Sequence, residues 1–167
     1  DILNLVYLAN HFGLPEVANF WESVVHLNSW NQDRLTRIIL EKLFGTLTEK
    51  RIGILGFSFK ANTNDTRESP AITICKELIN EGGNLFIYDP KVSHDQIMID
   101  LDSKGDKDHT SHKDNEGSWS YANSISQASE SSDAIVILTE WGEFKELNWK
   151  EIKSKMRSPS SVSYTHL

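Results

Sequence analysis

Cysteine is all but missing from this sequence. The single one, Cys75, excludes an internal disulfide framework and is compatible with a reducing compartment. Long apolar runs are missing as well: a stretch such as Ala134-Ile135-Val136-Ile137-Leu138 has the length of a strand, far short of the ~18 residues of a membrane span. Basic residues are in deficit, 17 Lys+Arg against 24 Asp+Glu for a net charge of −7, which argues against nucleic acid as a general partner. Glycine and proline are sparse, 9 and 4 in 167 residues, so neither a collagen-like nor a disordered chain is expected. What remains is a globular composition, long enough to bury roughly 70% of the surface that its unfolded form exposes. Asp1 heads an amphipathic stretch rather than a basic n-region, so no signal peptide is expected, and a cytoplasmic location is. The chain has no initiator Met and opens in mid-pattern, which predicts a fragment of a longer protein.

Apolar residues recur at threes and fours from Ile2 to Phe12 and again from Val17 to Leu43. Gly13-Leu14-Pro15 separates the two, and Pro15 suits the first turn of the second helix. That second helix is read as one long element, or as two with a bend near Asn28-Ser29. A lone hairpin could not bury so many large residues, so this surface is expected to pack on something else. Beyond Gly45 the period changes. Arg51 to Phe57 reads as a buried parallel strand, and Ser69-Pro70 starts a helix running to about Glu81. Gly82-Gly83 closes that helix, and Asn84 to Pro90 supplies a second strand. Strand, helix and strand in this space make a βαβ unit and hence a parallel sheet. Asp133 to Thr139 reads as a further, central strand, and Trp149 to Arg157 as a basic surface helix. The polar stretch from Val92 to Ser132 is expected to be a partly mobile excursion. His109 and His112 within it have no Cys or further His beside them, and no metal site is expected there.

In open α/β sheets ligands bind at the carboxyl ends of the strands. The loop Gly56-Phe57-Ser58-Phe59-Lys60-Ala61-Asn62-Thr63-Asn64-Asp65-Thr66-Arg67-Glu68-Ser69 places two cations around a helix start, where free N–H groups and the dipole favour an anion. A phosphate or carboxylate ligand is one reading; the other is that Lys60 and Arg67 pair with Asp65 and Glu68. Gly53 and Gly56 do not form G-x-G-x-x-G, so no dinucleotide fingerprint is present. Asp89 stands where a dinucleotide fold keeps its ribose acid, but before Pro90 it reads as a turn residue.

Several of these residues carry a resemblance. Asp1-Ile2-Leu3-Asn4-Leu5-Val6-Tyr7-Leu8, the Gly56–Lys60 and Asp65–Ser69 segments, Tyr88-Asp89-Pro90-Lys91-Val92, and Thr139-Glu140-Trp141 with Phe144-Lys145 together resemble the UDP-glucose 6-dehydrogenase family over roughly residues 1–158. That family oxidises UDP-glucose to UDP-glucuronate with NAD, holding the intermediate on a cysteine as thiohemiacetal and then thioester. The resemblance implies an α/β fold, a Rossmann-like three-layer domain with a parallel sheet, preceded by helices of an all-α dimerisation domain. It implies that residues 1–46 belong to those helices, that 47–158 bind UDP, and that 159–167 are a truncated or non-native tail in which Val162 and Tyr164 could still form an edge strand. It further implies that Phe59 and Lys60 contact substrate, that Arg67 reaches the NAD side, and that Asp1 assists the chemistry near the thiol. NAD is the implied cofactor. Dimers assembled into hexamers are the implied self-association, with neither nucleic acid nor membrane as partner. The family's nucleophilic cysteine would lie before residue 1, and Cys75, on an apolar helix face, is read as a buried small residue. Without that nucleophile the chain alone is expected to be inactive. A dehydrogenase for another nucleotide sugar and a non-catalytic binding or assembly module are the alternative readings.

Overall fold

The computed structural model describes residues 2–102 and 117–157, together with the backbone of residues 160–163. Two antiparallel helices come first, α1 (Ile2–His11) and α2 (Pro15–Lys42). Between them Gly13 takes φ +70°, a left-handed turn that glycine tolerates without a Cβ clash. α2 runs unbroken through Asn28-Ser29, which resolves the choice between one helix and two.

A five-stranded, all-parallel sheet follows, in the order β3-β2-β1-β4-β5. Its strands are β1 (Arg51–Leu55), β2 (Asn84–Tyr88), β3 (Ser118–Tyr121), β4 (Ala134–Ile137) and β5 (Ser160–Ser163). The edge strand β5 realises the option left open for Val162. The helices are α3 (Pro70–Asn80), α4 (His94–Asp102), α5 (Ile125–Ser129), α6 (Gly142–Lys145) and α7 (Trp149–Lys155).

Side-chain alternation along the central strands divides the core in two. Ile52, Ile54, Leu85, Ile87, Ala134 and Val136 face one layer, where α3 contributes Ile74, Cys75 and Leu78. The far half of α2 adds Leu35, Ile39 and Leu43 to the same layer, so the hairpin is anchored at one end. Leu55, Ile135 and Ile137 face the other layer and meet Ala128, Phe144 and Ile152. The result is the expected three-layer α/β/α sandwich. α7 is more than a surface helix, because Ile152 is buried against the sheet.

The stretch from Val92 to Ser132 departs from expectation. Three elements, α4, β3 and α5, lie inside it. Ile97 of α4 is fully buried beside Val92, and Ala128 of α5 is fully buried beneath β1. A few well-spaced apolar anchors suffice for such short elements, and the surrounding charge hides them from a composition-based reading. His109 and His112 lie outside the described residues.

The sheet's two ends are closed differently. At the amino end, Asp133 is buried and accepts from the Arg51 N–H (2.9 Å) and from the Arg157 guanidinium. Burial pushes its carboxyl pKa up, but those bonds and the nearby positive charge outweigh burial and hold it below the usual range.

Gly53 marks a close approach: a Cβ there would stand 2.6 Å from the Ala128 carbonyl oxygen of α5. Gly53→Ala should therefore cost about 1–3 kcal/mol by overpacking, read as a lowered melting temperature. Gly142→Ala, with nothing within 4 Å of the new methyl, serves as the control and should change stability little.

Candidate functional site

Chain order reverses between β1 and β4. In doubly wound sheets, the loops beyond the carboxyl ends of strands at such a switch point form the ligand crevice. Here the loop leaving β1 crosses that point. Gly56 adopts φ +89°, and a Cβ on it would meet the Thr139 Cβ at 2.6 Å, so only glycine lets the β1 and β4 exits pass this closely. The Thr139 hydroxyl then donates to the Ser58 carbonyl at 2.7 Å.

From Ser58 the loop closes on itself. Phe59 N–H donates to the Asp65 carbonyl at 2.8 Å, and the Ser58 hydroxyl donates to the Lys60 carbonyl at 3.1 Å. Asn62 and Glu68 both take positive φ, 67° and 58°; asparagine tolerates this conformation, whereas for glutamate it is unusual. The loop ends at Ser69, whose hydroxyl accepts from Ala71 N–H as helix cap and donates to the Phe57 carbonyl at 2.8 Å. One hydroxyl thus joins the start of α3 to the end of β1.

Asp89, at the exit of β2, holds these parts together. It is buried, and one carboxylate oxygen accepts from the N–H groups of Phe57 (2.7 Å) and Ser58 (3.0 Å) and from the indole N–H of Trp141 (3.2 Å). The other oxygen accepts from the N–H groups of Lys91 (2.8 Å) and Val92 (3.0 Å). The turn role expected for Asp89 is present in the second set. The first set has no local signature, because nothing in the sequence near Asp89 shows that a β2 residue bonds the β1 loop. With both oxygens engaged inward, Asp89 does not offer itself to a ribose as the acid of a dinucleotide fold does. Its neighbour Lys91 lies over the Trp141 ring at 5.9 Å, and its ammonium donates to the Asn62 carbonyl at 3.3 Å.

The residues singled out from sequence occupy distinct surroundings. Phe59, half-exposed, lines a cleft of about 460 Å³ with Glu68 and Pro70 on one side. Ile2, Leu3, Val25, Asn28, Ser29 and Gln32 of the hairpin form the other side. Lys60 is exposed on the same loop, with no bond to its ammonium among the described residues. Arg67 folds back on its own loop and pairs with Asp65 through two bonds of 2.9 and 2.7 Å. That ion pair is the second of the two readings of its charge. Asp1 lies outside the described residues. Cys75 is fully buried, and burial pushes its thiol pKa up, which removes it from consideration as a nucleophile. Among the described residues no cluster of ligating side chains could hold a metal ion.

With this geometry in hand, sequence comparison is decisive. The profile of the UDP-glucose/GDP-mannose dehydrogenase family, UDP binding domain, matches residues 53–165. The chain belongs to the UDP-glucose/GDP-mannose dehydrogenase family. It is 43% identical over 162 residues to a UDP-glucose 6-dehydrogenase of Caenorhabditis elegans, covering 97% of this chain and 33% of that protein. The UDP-glucose 6-dehydrogenase of Pongo abelii is likewise 43% identical, over 164 residues, with 97% and 32% covered. The chain thus spans about a third of the length of these relatives. A solved UDP-glucose dehydrogenase from the archaeon Pyrobaculum islandicum shares the fold over 99% of this chain and 32% of its own, with TM-score 0.75 and 20% identity. The family match covers the β1 loop, the Asp89 network and Trp141.

Two outcomes follow. The hydrogen bonds and charge of Arg67 hold the Asp65 carboxyl at about 2, so the pair should persist on acidification and be lost only as pH falls through that value. Arg67→Ala should return Asp65 toward the ordinary aspartate range, read by NMR titration of its carboxyl carbon. Cys75 should resist thiol reagents in the folded chain and react at once in denaturant.

Proposed function

We propose that this chain is the part of a UDP-glucose 6-dehydrogenase that holds the UDP moiety of the substrate. The observation that carries this reading is the Gly56–Ser69 loop, fastened across the switch point within the segment that matches the family's UDP binding domain. In it, Phe59 and Lys60 contact the substrate, the aromatic ring packing on its flat parts and the unpaired ammonium facing the diphosphate. The dipole of α3 favours the same negative charge, although the first N–H groups of that helix are already engaged, Ala71 by the Ser69 hydroxyl and Ile72 by the Ser69 carbonyl.

The whole enzyme oxidises UDP-glucose to UDP-glucuronate, and NAD, when bound, accepts hydride. Arg67 reaches the NAD side in this reading. Its ion pair with Asp65 is solvent-exposed and worth little, so its guanidinium can exchange that partner for an anionic group. Asp1 assists the chemistry, and the nucleophilic thiol is not Cys75. Residues 1–46 belong to a helical dimerisation region, 47–158 form the UDP-binding domain, and 159–167 are its tail. Leu3, Tyr7, Phe12, Phe20, Leu27 and Trp30 are large and exposed along the hairpin, which supports self-association there into dimers and hexamers. No described helix is long and apolar enough to cross a membrane, and the reading places the enzyme in the cytoplasm.

Calorimetric titration tests the reading. UDP should bind in preference to GDP, and Lys60→Ala should weaken binding at least about tenfold, the loss expected for one charge-assisted contact. No heat with UDP from a folded chain, or equal affinity for GDP, would contradict it. Supplied with UDP-glucose and NAD, the chain alone should yield no NADH.

A further inference from the structure

Of the remaining features, the buried carboxylate of Asp89 carries most. It makes five hydrogen bonds, three of which leave the exit of β2 for those of β1 and β4. One oxygen gathers the two N–H groups that immediately precede Phe59 and Lys60, along with the indole of the β4 exit. The other gathers the turn that carries Lys91, whose ammonium reaches the middle of the same loop at Asn62. Three strand exits therefore share one anion. A neutral side chain of the same shape cannot serve, since an amide presents one acceptor and one donor to five donors.

We infer that Asp89 is a positioning residue for nucleotide binding: it sets where Phe59 and Lys60 stand and couples their loop to the Trp141 turn. The inference rests on the reading of Phe59 and Lys60 as substrate contacts. It assigns Asp89 no contact with ligand. Its negative charge is directed at backbone donors, which orients the loop before the nucleotide arrives and spares the ligand the ordering cost. Because the Trp141 indole shares an oxygen with the Phe57 and Ser58 N–H groups, a ligand that shifts the loop shifts this bond as well.

The test compares the chain with Asp89→Asn and Lys60→Ala in three measurements: amide hydrogen exchange without ligand, UDP affinity by calorimetry, and the Trp141 indole N–H resonance. In Asp89→Asn the amides of Phe57, Ser58 and Phe59 should exchange at least about tenfold faster while those of β1 keep their protection. UDP affinity should fall at least about tenfold. At UDP concentrations that saturate both proteins, UDP should move the Trp141 indole resonance in the parent chain and leave it in place in Asp89→Asn, a signature that weakened binding alone would not supply. Should Asp89→Asn fail to fold, Trp141→Phe, which removes one of the five bonds, should still loosen the Phe57 and Ser58 amides and weaken UDP binding.

Unchanged exchange at Phe57 and Ser58, or looser amides with parental UDP affinity and an indole shift intact, would overturn the inference while leaving the nucleotide reading in place. Retained UDP binding in Lys60→Ala together with lost binding in Asp89→Asn would support the positioning role and contradict the contact assigned to Lys60. A parent chain that takes up no UDP would overturn both, whatever the exchange shows.

Discussion

A single buried anion, the Asp89 carboxylate, organises the carboxyl end of the sheet. Burying a charge is costly unless donors surround it, and among the described residues its hydrogen-bond partners include no cation: four backbone N–H groups and an indole surround it. The amino end uses the opposite device, where Asp133 is compensated by the Arg157 guanidinium as well as a backbone donor. An ion pair thus closes the amino end. At the carboxyl end, compensation by fixed dipoles leaves the nearby Lys60 and Lys91 on the exposed side.

Around that anion the exits of β1, β2 and β4 form one unit. Gly56 permits the close pass against Thr139, the Thr139 hydroxyl ties Ser58, and the Ser69 hydroxyl links the helix start to Phe57. Each contact is ordinary in strength, on the order of 1 kcal/mol net. Their shared effect is to turn a long loop into a platform with few free torsions, on which Phe59 projects into the cleft beneath the helical hairpin. The hairpin meets the domain through Leu35, Ile39 and Leu43 and leaves its other end apolar and exposed. A surface of that kind is costly in water, which supports the proposed self-association.

Much of this was legible in the residues. The β1–α3–β2 unit announces itself through apolar runs, Ser69-Pro70 and Gly82-Gly83, and the position of the candidate loop at the carboxyl end of β1 follows from strand polarity alone. The short elements α4, β3 and α5 were not legible, because the apolar cluster from Ile97 to Leu101 is short and flanked by charge, Trp119 and Ala128 stand between polar neighbours, and all gain meaning only once the sheet exists to receive them. The Asp89 network was half legible. Its bonds to Lys91 and Val92 are local and turn-like, whereas those to Phe57, Ser58 and Trp141 span 31 to 52 residues and depend on the parallel pairing of β1 with β2 and β4. The pairing of Arg67 with Asp65 was foreseen as one of two options, since two residues of opposite charge two apart in a tight loop meet readily.

The central claim is that a uridine diphosphate sits on the platform at the exit of β1. Amide chemical-shift mapping of the 167-residue chain during UDP addition addresses it most directly. Perturbations concentrated on Phe57 to Lys60, the start of α3 from Ser69, and Thr139 to Trp141 are the expected result. Perturbations confined to the opposite edge of the sheet, around His94, Trp119 and Tyr121, would place the nucleotide elsewhere and contradict the claim.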